Sequence, residues 1–255
     1  MDLSEAPRPG SPGAPLWDPG AIPAATVVVL RDGAAGLEVL MLHRDRDLSF
    51  AGGMWVFPGG RIDPADHPDP TDHPDPSGRP DGTPDLEAAA RRAAVREAAE
   101  EAGLSIDPGQ LRRWSHWTPP PESPKRFSTA FYVAPLPPDA AEVVIDDGEI
   151  RDHRWLTPAE VLELRDAGEV GLGPPTFITL SQLVDHARVE QALGHADALA
   201  AAGTVEHFAT RIVVDGDRIV AMYHGDSGYE TGDATSHGAR HRLVMGPAWT
   251  YERHP

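Results

Sequence analysis

There is no cysteine among the 255 residues. Its absence removes disulfides, thiolate nucleophiles, iron–sulfur ligation and cysteine-type zinc sites together, and it suits a reducing compartment. Cations are scarce as well: 22 Lys and Arg stand against 40 Asp and Glu, a net charge of −18. Proteins that follow nucleic-acid phosphates need cationic stripes to displace counterions, so nucleic acid is not an expected partner. An anionic substrate would need a metal ion or a local basic pocket. Long apolar runs are missing too. The longest, Thr26 to Leu30, falls far short of the ~20 residues that cross a bilayer. The first 23 residues carry prolines at 7, 9, 12, 15, 19 and 23 and no apolar stretch of signal-peptide length. The expectation is a soluble, cytoplasmic protein with no membrane partner and a flexible leader over residues 1–23.

Glycine and proline, in contrast, are abundant at 25 and 27 residues, above ordinary usage, and most of that excess belongs in loops. At about 150 residues per domain the length suits one elaborated domain or a domain with an appendage. Thr26–Leu30 and Leu37–Leu42 flank Arg31-Asp32-Gly33 as two strands of a hairpin-like opening. A further short strand at Trp55-Val56-Phe57 stops at Pro58-Gly59-Gly60, because proline offers no ladder N–H and paired glycines permit unusual φ. Residues 61–83 then hold two copies of one pentapeptide, Asp66-His67-Pro68-Asp69-Pro70 and Asp72-His73-Pro74-Asp75-Pro76, which read as a disordered insert. Its histidines among aspartates fit either metal binding or a solvated low-complexity segment. No catalytic role is assigned to it.

A helix is predicted from Pro84 to Ala102, with Thr83 as N-cap, Pro84 at the first helical position and Gly103 just past the end. Advancing about 100° per residue from Glu97 places Glu100 near 300° and Glu101 near 40°, so three carboxylates share one arc. Val95, Ala98, Ala99 and Ala102 fall between about 100° and 200°, a smooth packing face apart from the acids. A solvated acidic face is one reading of the cluster. The other starts from the cost of like charges at i, i+3 and i+4, which Arg96 can relieve only in part. A hard divalent ion such as Mg²⁺ or Mn²⁺ would relieve it and suits phosphate-bearing substrates.

Gly59-Gly60 together with Arg96-Glu97-Ala98-Ala99-Glu100-Glu101-Ala102-Gly103-Leu104 resembles the Nudix box, Gly-x5-Glu-x7-Arg-Glu-U-x-Glu-Glu-x-Gly-U, where U is a bulky apolar residue. Two departures stand out. The insert separates the glycines from the helix, and the place eight residues before Arg96, where the family has its first Glu, is Ala88, with Glu87 one step away. An interruption after the glycines is similar to that of the acyl-coenzyme A diphosphatase subgroup. Phe57–Asp63 with Asp66, Trp117-Thr118-Pro119, Arg126–Tyr132, Arg154–Glu160 and Pro174-Pro175-Thr176 also resemble that subgroup, over roughly residues 25–185. A coenzyme A signature upstream of the box is matched at Leu42, Arg44 and Gly53–Gly60 but not at its centre.

The resemblance implies an α/β/α sandwich around a mixed β-sheet, here residues 24–170, and hydrolysis of a diphosphate that joins a nucleoside to another group. Coenzyme A or its thioesters are favoured, releasing 3′,5′-ADP and a phosphopantetheine product. The rival readings are ADP-ribose, a dinucleotide or a nucleoside triphosphate as substrate, and a ligand-binding module without turnover. It further implies Glu97, Glu100 and Glu101 as ligands of Mg²⁺ or Mn²⁺, the Gly60 carbonyl as another donor, and Arg96 holding the cluster in register. Glu97 and Glu149 are the candidates for general base, and Arg44, Arg126 and Gly59 for substrate contacts. Strands are predicted near 25–30, 37–42, 54–57, 127–134 and 150–156, with a short helix at 158–167. Residues 171–255 read as a packed C-terminal extension: one or two helices over 176–202, then a hairpin of Arg211–Val214 and Arg218–Tyr223 around Asp215-Gly216-Asp217. That extension would complete the substrate pocket or form a homodimer contact. His224, His237 and His241 are too scattered for a metal triad.

Overall fold

The computed structural model describes residues 16–48, 51–68, 85–136, 142–146 and 148–255. Strands β1 (Ile22–Gly33) and β2 (Gly36–Arg44) open the fold as a hairpin. Two short strands, β3 (Trp55–Val56) and β4 (Gly59–Arg61), flank Phe57-Pro58, and a 3-10 turn follows at Pro64–Asp66. Then come α1 (Leu86–Ala102), β5 (Arg112–Thr118), β6 (Phe127–Pro135), β7 (Ile150–Leu156), α2 (Pro158–Asp166), α3 (Pro174–Leu183) and α4 (Val189–Ala202). The chain ends with β8 (Glu206–Ala209), β9 (Arg211–Asp215), β10 (Arg218–Met222), β11 (Arg240–Met245) and β12 (Trp249–His254).

Strands β1 to β8 form one mixed sheet on the path β3-β2-β1-β6-β5-β8, with β4 against β1 and β7 against β2. The β1–β6 and β5–β8 pairs are parallel. Strands β1 and β2 pair only near their turn, from Leu30↔Val39 to Gly33↔Gly36. Beyond that they part, and the start of β1 takes β4 while the end of β2 takes β3. Phe57-Pro58 crosses the gap, with the Val27 N–H donating to the Pro58 carbonyl at 2.9 Å. The diglycine therefore sits in an opening of the sheet.

Both faces of the sheet are covered, which is why the run Val27–Leu30 is apolar without alternation. Ala25, Val27 and Val29 face the alanines of α1, whereas Val28 and Leu30 face Ile178, Leu180 and Leu183 of α3 and Ala192 and Ala196 of α4. This is the α/β/α sandwich that the sequence predicts. Among the described residues no helix is long and apolar enough to cross a membrane.

The C-terminal extension is larger than a hairpin: β9 to β12 make a four-stranded antiparallel sheet, and β8 joins the main sheet beside β5. Phe208 of β8 stacks on Trp117 of β5 at 4.1 Å between centroids, and Tyr223 meets the same indole edge-on at 5.7 Å. Strand β5 was not predicted as an element, because its two buried tryptophans alternate with the buried polar Arg113, Ser115 and His116. The leader also differs from the expectation over residues 16–22. Trp17 lies edge-on to His116 at 4.7 Å, and Asp18 pairs with Arg126. Residues 1–15 are outside the described part.

Candidate active site

Helix α1 begins at Leu86, and its N-cap is Asp85 rather than Thr83. The Asp85 carboxylate accepts from the amides of Glu87 and Ala88, both at 3.1 Å, which satisfies two of the first-turn donors. Thr83 and Pro84 are outside the described residues. Gly103 ends the helix at φ 68°, as predicted from its place.

The expected separation of acidic and packing faces does not hold. The buried residues of α1 are Ala89, Ala90, Ala93, Ala94, Ala98, Glu101 and Ala102, while Ala99 is exposed. On the same wheel these centre near 40°, the direction of Glu101 itself. The helix thus presses Glu101 and Glu97 toward the sheet at the point where β4 carries glycines. The Gly59 N–H donates to Glu101 Oε2 at 3.0 Å. A Cβ on Gly59 would press on Thr26 Oγ1 and the Ala25 carbonyl, and one on Gly60 would overlap the Glu97 carboxylate. Only glycine lets backbone and acids approach this closely.

Two arginines pair with the three box glutamates. Arg96 Nη1 donates to Glu97 Oε1 and to Glu100 Oε2, each at 2.9 Å. Arg44 Nη1 donates to Glu101 Oε1 at 3.2 Å and its Nη2 to Glu149 Oε2 at 2.8 Å. Among the described residues no three His, Asp or Glu side chains are gathered as a metal site. The donor set itself is hard oxygen, the type Mg²⁺ and Mn²⁺ prefer. Glu101 supplies a second indication: burial pushes its carboxyl up to about 8, against the Gly59 N–H and Arg44 that favour its charge. Burial also raises Glu97, with Arg96 opposing and Glu100 and Glu149 adding to the rise. Carboxylates so poorly solvated gain strongly from an added positive charge.

The first acid of the box is found by counting forward from the glycines rather than back from Arg96. Five residues, 61–65, separate Gly60 from Asp66, the same spacing as the family's Gly-x5-Glu. Asp66 is 4% exposed and accepts from Arg96 Nε at 3.1 Å and Nη2 at 2.9 Å. It also accepts from the Asp63 N–H at 2.8 Å, and Arg96 Nη2 donates to the Arg61 carbonyl at 3.1 Å. Burial works to raise the Asp66 carboxyl, but the Arg96 and Asp63 hydrogen bonds outweigh it and hold it below the usual carboxylate range. The reading of 61–83 as disordered is therefore corrected for 61–67, which fold against the helix because a buried acid needs its arginine. Residues 69–84, with the second pentapeptide, are outside the described part. Neither Ala88 nor Glu87 stands at that spacing from Gly60. Glu87 points elsewhere, to Arg113 at 2.5 Å, the Tyr132 hydroxyl at 3.0 Å and Arg91 at 3.3 Å.

Glu149 is fixed through its backbone. Its N–H donates to Asp146 at 3.1 Å, and its carbonyl accepts from the Asp45 N–H at 2.8 Å. Arg126 is not brought to these acids. It pairs with Asp18 at 2.5 Å and donates to the Gly20 and Pro119 carbonyls, each at 3.3 Å. It lines a separate cleft of about 470 Å³ between the β5–β6 connection and the extension, with Thr210, Arg211 and Tyr229. Two features were missed from sequence: Asp66 as the partner of Arg96, signalled by its spacing from Gly60, and the Glu101–Arg44–Glu149 bridge, for which no local signal exists. His241 lies buried, with its Nδ1 2.7 Å from the His224 carbonyl.

Residues 21–174 match the family model described as NUDIX domain, more than half of the chain. The protein belongs to the NUDIX family. Among curated proteins it is 35% identical over 86 residues to an acyl-coenzyme A diphosphatase NUDT19 of Xenopus laevis, spanning 32% of this chain but only 22% of that one. It is 25% identical over 282 aligned positions to the human acyl-coenzyme A diphosphatase NUDT19, covering 77% of this chain and 73% of the relative. The crystal structure of a NUDIX hydrolase from Alicyclobacillus acidocaldarius superposes with a TM-score of 0.58 at 25% identity, over 68% of this chain and 96% of the other.

Proposed function

We propose that the protein is a metal-dependent diphosphatase whose substrate is coenzyme A or an acyl-coenzyme A, cleaved to 3′,5′-ADP and (acyl-)phosphopantetheine. The observation that carries the reading is the Asp66–Arg96 fork, which holds Glu97 and Glu100 beside a glycine strand that only Gly59 and Gly60 could form. The names of the NUDT19 relatives support the choice of coenzyme A.

Glu97, Glu100, Glu101 and the Gly60 carbonyl would hold Mg²⁺ or Mn²⁺, which when bound neutralises the diphosphate and lowers the pKa of a coordinated water. Water adds across one P–O bond of the bridging oxygen, and each product leaves with a terminal phosphate. Glu149 would take the proton of that water. Its carboxylate is half exposed at 54% while its backbone is anchored at both N–H and carbonyl, so the side chain reaches solvent without loop motion. Arg96 keeps two like-charged ligands apart and oriented. The bound cation would let a protein of net charge −18 accept an anion.

The test is turnover of coenzyme A, acyl-coenzyme A, ADP-ribose, a dinucleotide and a nucleoside triphosphate, each with Mn²⁺ or Mg²⁺, read by product chromatography. The expected result is release of 3′,5′-ADP from the coenzyme A species. Much faster cleavage of ADP-ribose would overturn the substrate assignment, and tight binding without product at any metal concentration would make the chain a binding module.

A further inference from the structure

We propose that Arg44 is a positioning residue: by bridging Glu101 to Glu149 it holds the loop carboxylate over the box helix, and its terminal nitrogens serve those two acids rather than the substrate. The proposal rests on the diphosphatase reading above and concerns the same site.

Three observations lead there. Arg44 closes β2 on the same face as Leu40 and Leu42, the face that packs on α1, so its side chain runs along the sheet toward the end of that helix. It is only 14% exposed, and both terminal nitrogens are engaged, Nη1 by Glu101 at 3.2 Å and Nη2 by Glu149 at 2.8 Å. Its Nε is buried and has no partner among the described residues. A planar guanidinium can serve two carboxylates at fixed angles, which the point charge of a lysine cannot.

The second observation is the register of β7. Opposite β2 the ladder runs His43↔Asp152 and then Arg44↔Ile150, so Arg151 is skipped. Bulges of this kind re-aim the residues next to them. Here the skipped Arg151 turns to Asp45, Ile150 drops fully into the core, and Glu149 arrives level with Arg44.

The third is the division of labour within the loop. The Asp146 carboxylate holds the amides of Glu149 and Ile150, and the Asp45 N–H holds the Glu149 carbonyl. These bonds fix the main chain and leave the Glu149 side chain its torsions. Among the described residues Arg44 donates to that carboxylate, so removing it frees the acid without unfolding the loop.

The experiment is a double-mutant cycle of Arg44→Gln and Glu149→Gln, with Arg44→Lys as a charge-retaining third variant and thermal unfolding to confirm that each folds. Arg44→Gln is expected to lower kcat roughly 10–100-fold, since displacement of a reacting group by about 1 Å costs of that order, with KM changed less than about threefold. In the Glu149→Gln background the same change should lower kcat less than about threefold, because the group it positions is already gone. Arg44→Lys should recover only part of the loss. A tenfold or larger rise in KM, or a full loss that persists beside Glu149→Gln, would show that Arg44 contacts the substrate and overturn the proposal. Restoration of kcat by saturating Mn²⁺ would show that it acts on Glu101 alone and overturn it as well. Side-chain carbon NMR relaxation of Glu149 in the metal-free protein needs no turnover. Greater mobility of that side chain in Arg44→Gln, with the Glu149 and Ile150 amides unchanged because Asp146 still holds them, supports the bridge, and unchanged mobility removes it even if the wild-type chain cleaves none of the compounds and the diphosphatase reading fails.

Discussion

Two buried aspartate–arginine forks lie at opposite ends of the chain, and they differ in what the arginine has left over. In the extension, Asp226 accepts from Arg242 Nε at 2.6 Å and Nη2 at 2.5 Å, and Arg242 Nη1 is taken by the Ala234 carbonyl. Side-chain exposures of 0% and 5% leave this pair closed on itself. In the domain, Asp66 engages the corresponding two nitrogens of Arg96, but Nη1 faces outward to Glu97 and Glu100, and the arginine is 26% exposed. One device ties down the loop between β10 and β11. The other ties down the loop after β4 and keeps one amino group for two glutamates of α1. A buried ion pair alone is thus no mark of function; the unclosed third donor is.

The largest effect should come from the acid that neither fork holds. Glu101→Gln is expected to lower kcat on the order of a thousandfold or more, because metal-ion catalysis supplies several kcal/mol, while the melting temperature stays level or rises. Retention of a tenth of wild-type activity would remove Glu101 from the site. Next in size, Asp226→Ala strands a buried guanidinium and should cost about 3 kcal/mol, a drop of roughly 6–12 °C at this chain length, with activity per folded molecule intact. Asp66→Asn reverses the pattern: a modest loss of stability but roughly 10–100-fold weaker metal affinity or activity, measured by titrating Mn²⁺. If the two substitutions behaved alike, the contrast between the forks would be empty.

A pH series sharpens the same contrast. Folding raises the Glu101 carboxyl from its ordinary 4.5 to about 8, so in the metal-free protein the folded state holds a proton that the unfolded state has released. The stability this group contributes is present below its unfolded value and is lost as pH rises toward about 8. Mn²⁺ held at this acid would take its deprotonated form, so the rise in melting temperature on adding Mn²⁺ should be larger at pH 8.5 than at pH 6, by roughly 5–10 °C at saturating metal. An equal rise at both pH values would place the metal elsewhere. The smallest effect on turnover is expected of Glu87→Ala, which leaves the buried Arg113 guanidinium short of a partner and costs about 1–3 kcal/mol of stability, but touches none of the box acids. Its turnover should equal that of the unaltered chain.

Much of this was legible beforehand because local signals and global packing agree. The run of alanines, the αL glycine at 103 and the spacing Arg96-Glu97-x-x-Glu100-Glu101 announce α1 and its acids. Two-faced burial announces β1 and β2. What escaped has physical reasons. Strand β5 hides its period because His116 and Ser115 are buried polar residues, His116 being kept well below its usual pKa by desolvation and Arg113 and held by hydrogen bonds to Arg113 and Ser128. Strands β11 and β12 were missed for a similar reason, since β11 begins Arg240-His241-Arg242 with the last two buried, and its partner strand is mostly polar. Asp66 was noted in the first half of the box, but its pairing with Arg96 escaped because the two lie 30 residues apart along the chain while adjacent in space, a relation that counting back from the helix cannot recover.

The family match ends at residue 174, yet the main sheet is completed only when β8 arrives at residues 206–209. Its Phe208 shields Trp117, and Tyr223 just after β10 and Leu243 of β11 lie in the same apolar cluster as Val28 and Met41. The boundary drawn by ancestry and the boundary drawn by burial are therefore different lines. A polypeptide severed at the first would leave one flank of its own interior open to water, and whatever catalytic groups it retained would sit on a scaffold prone to self-association.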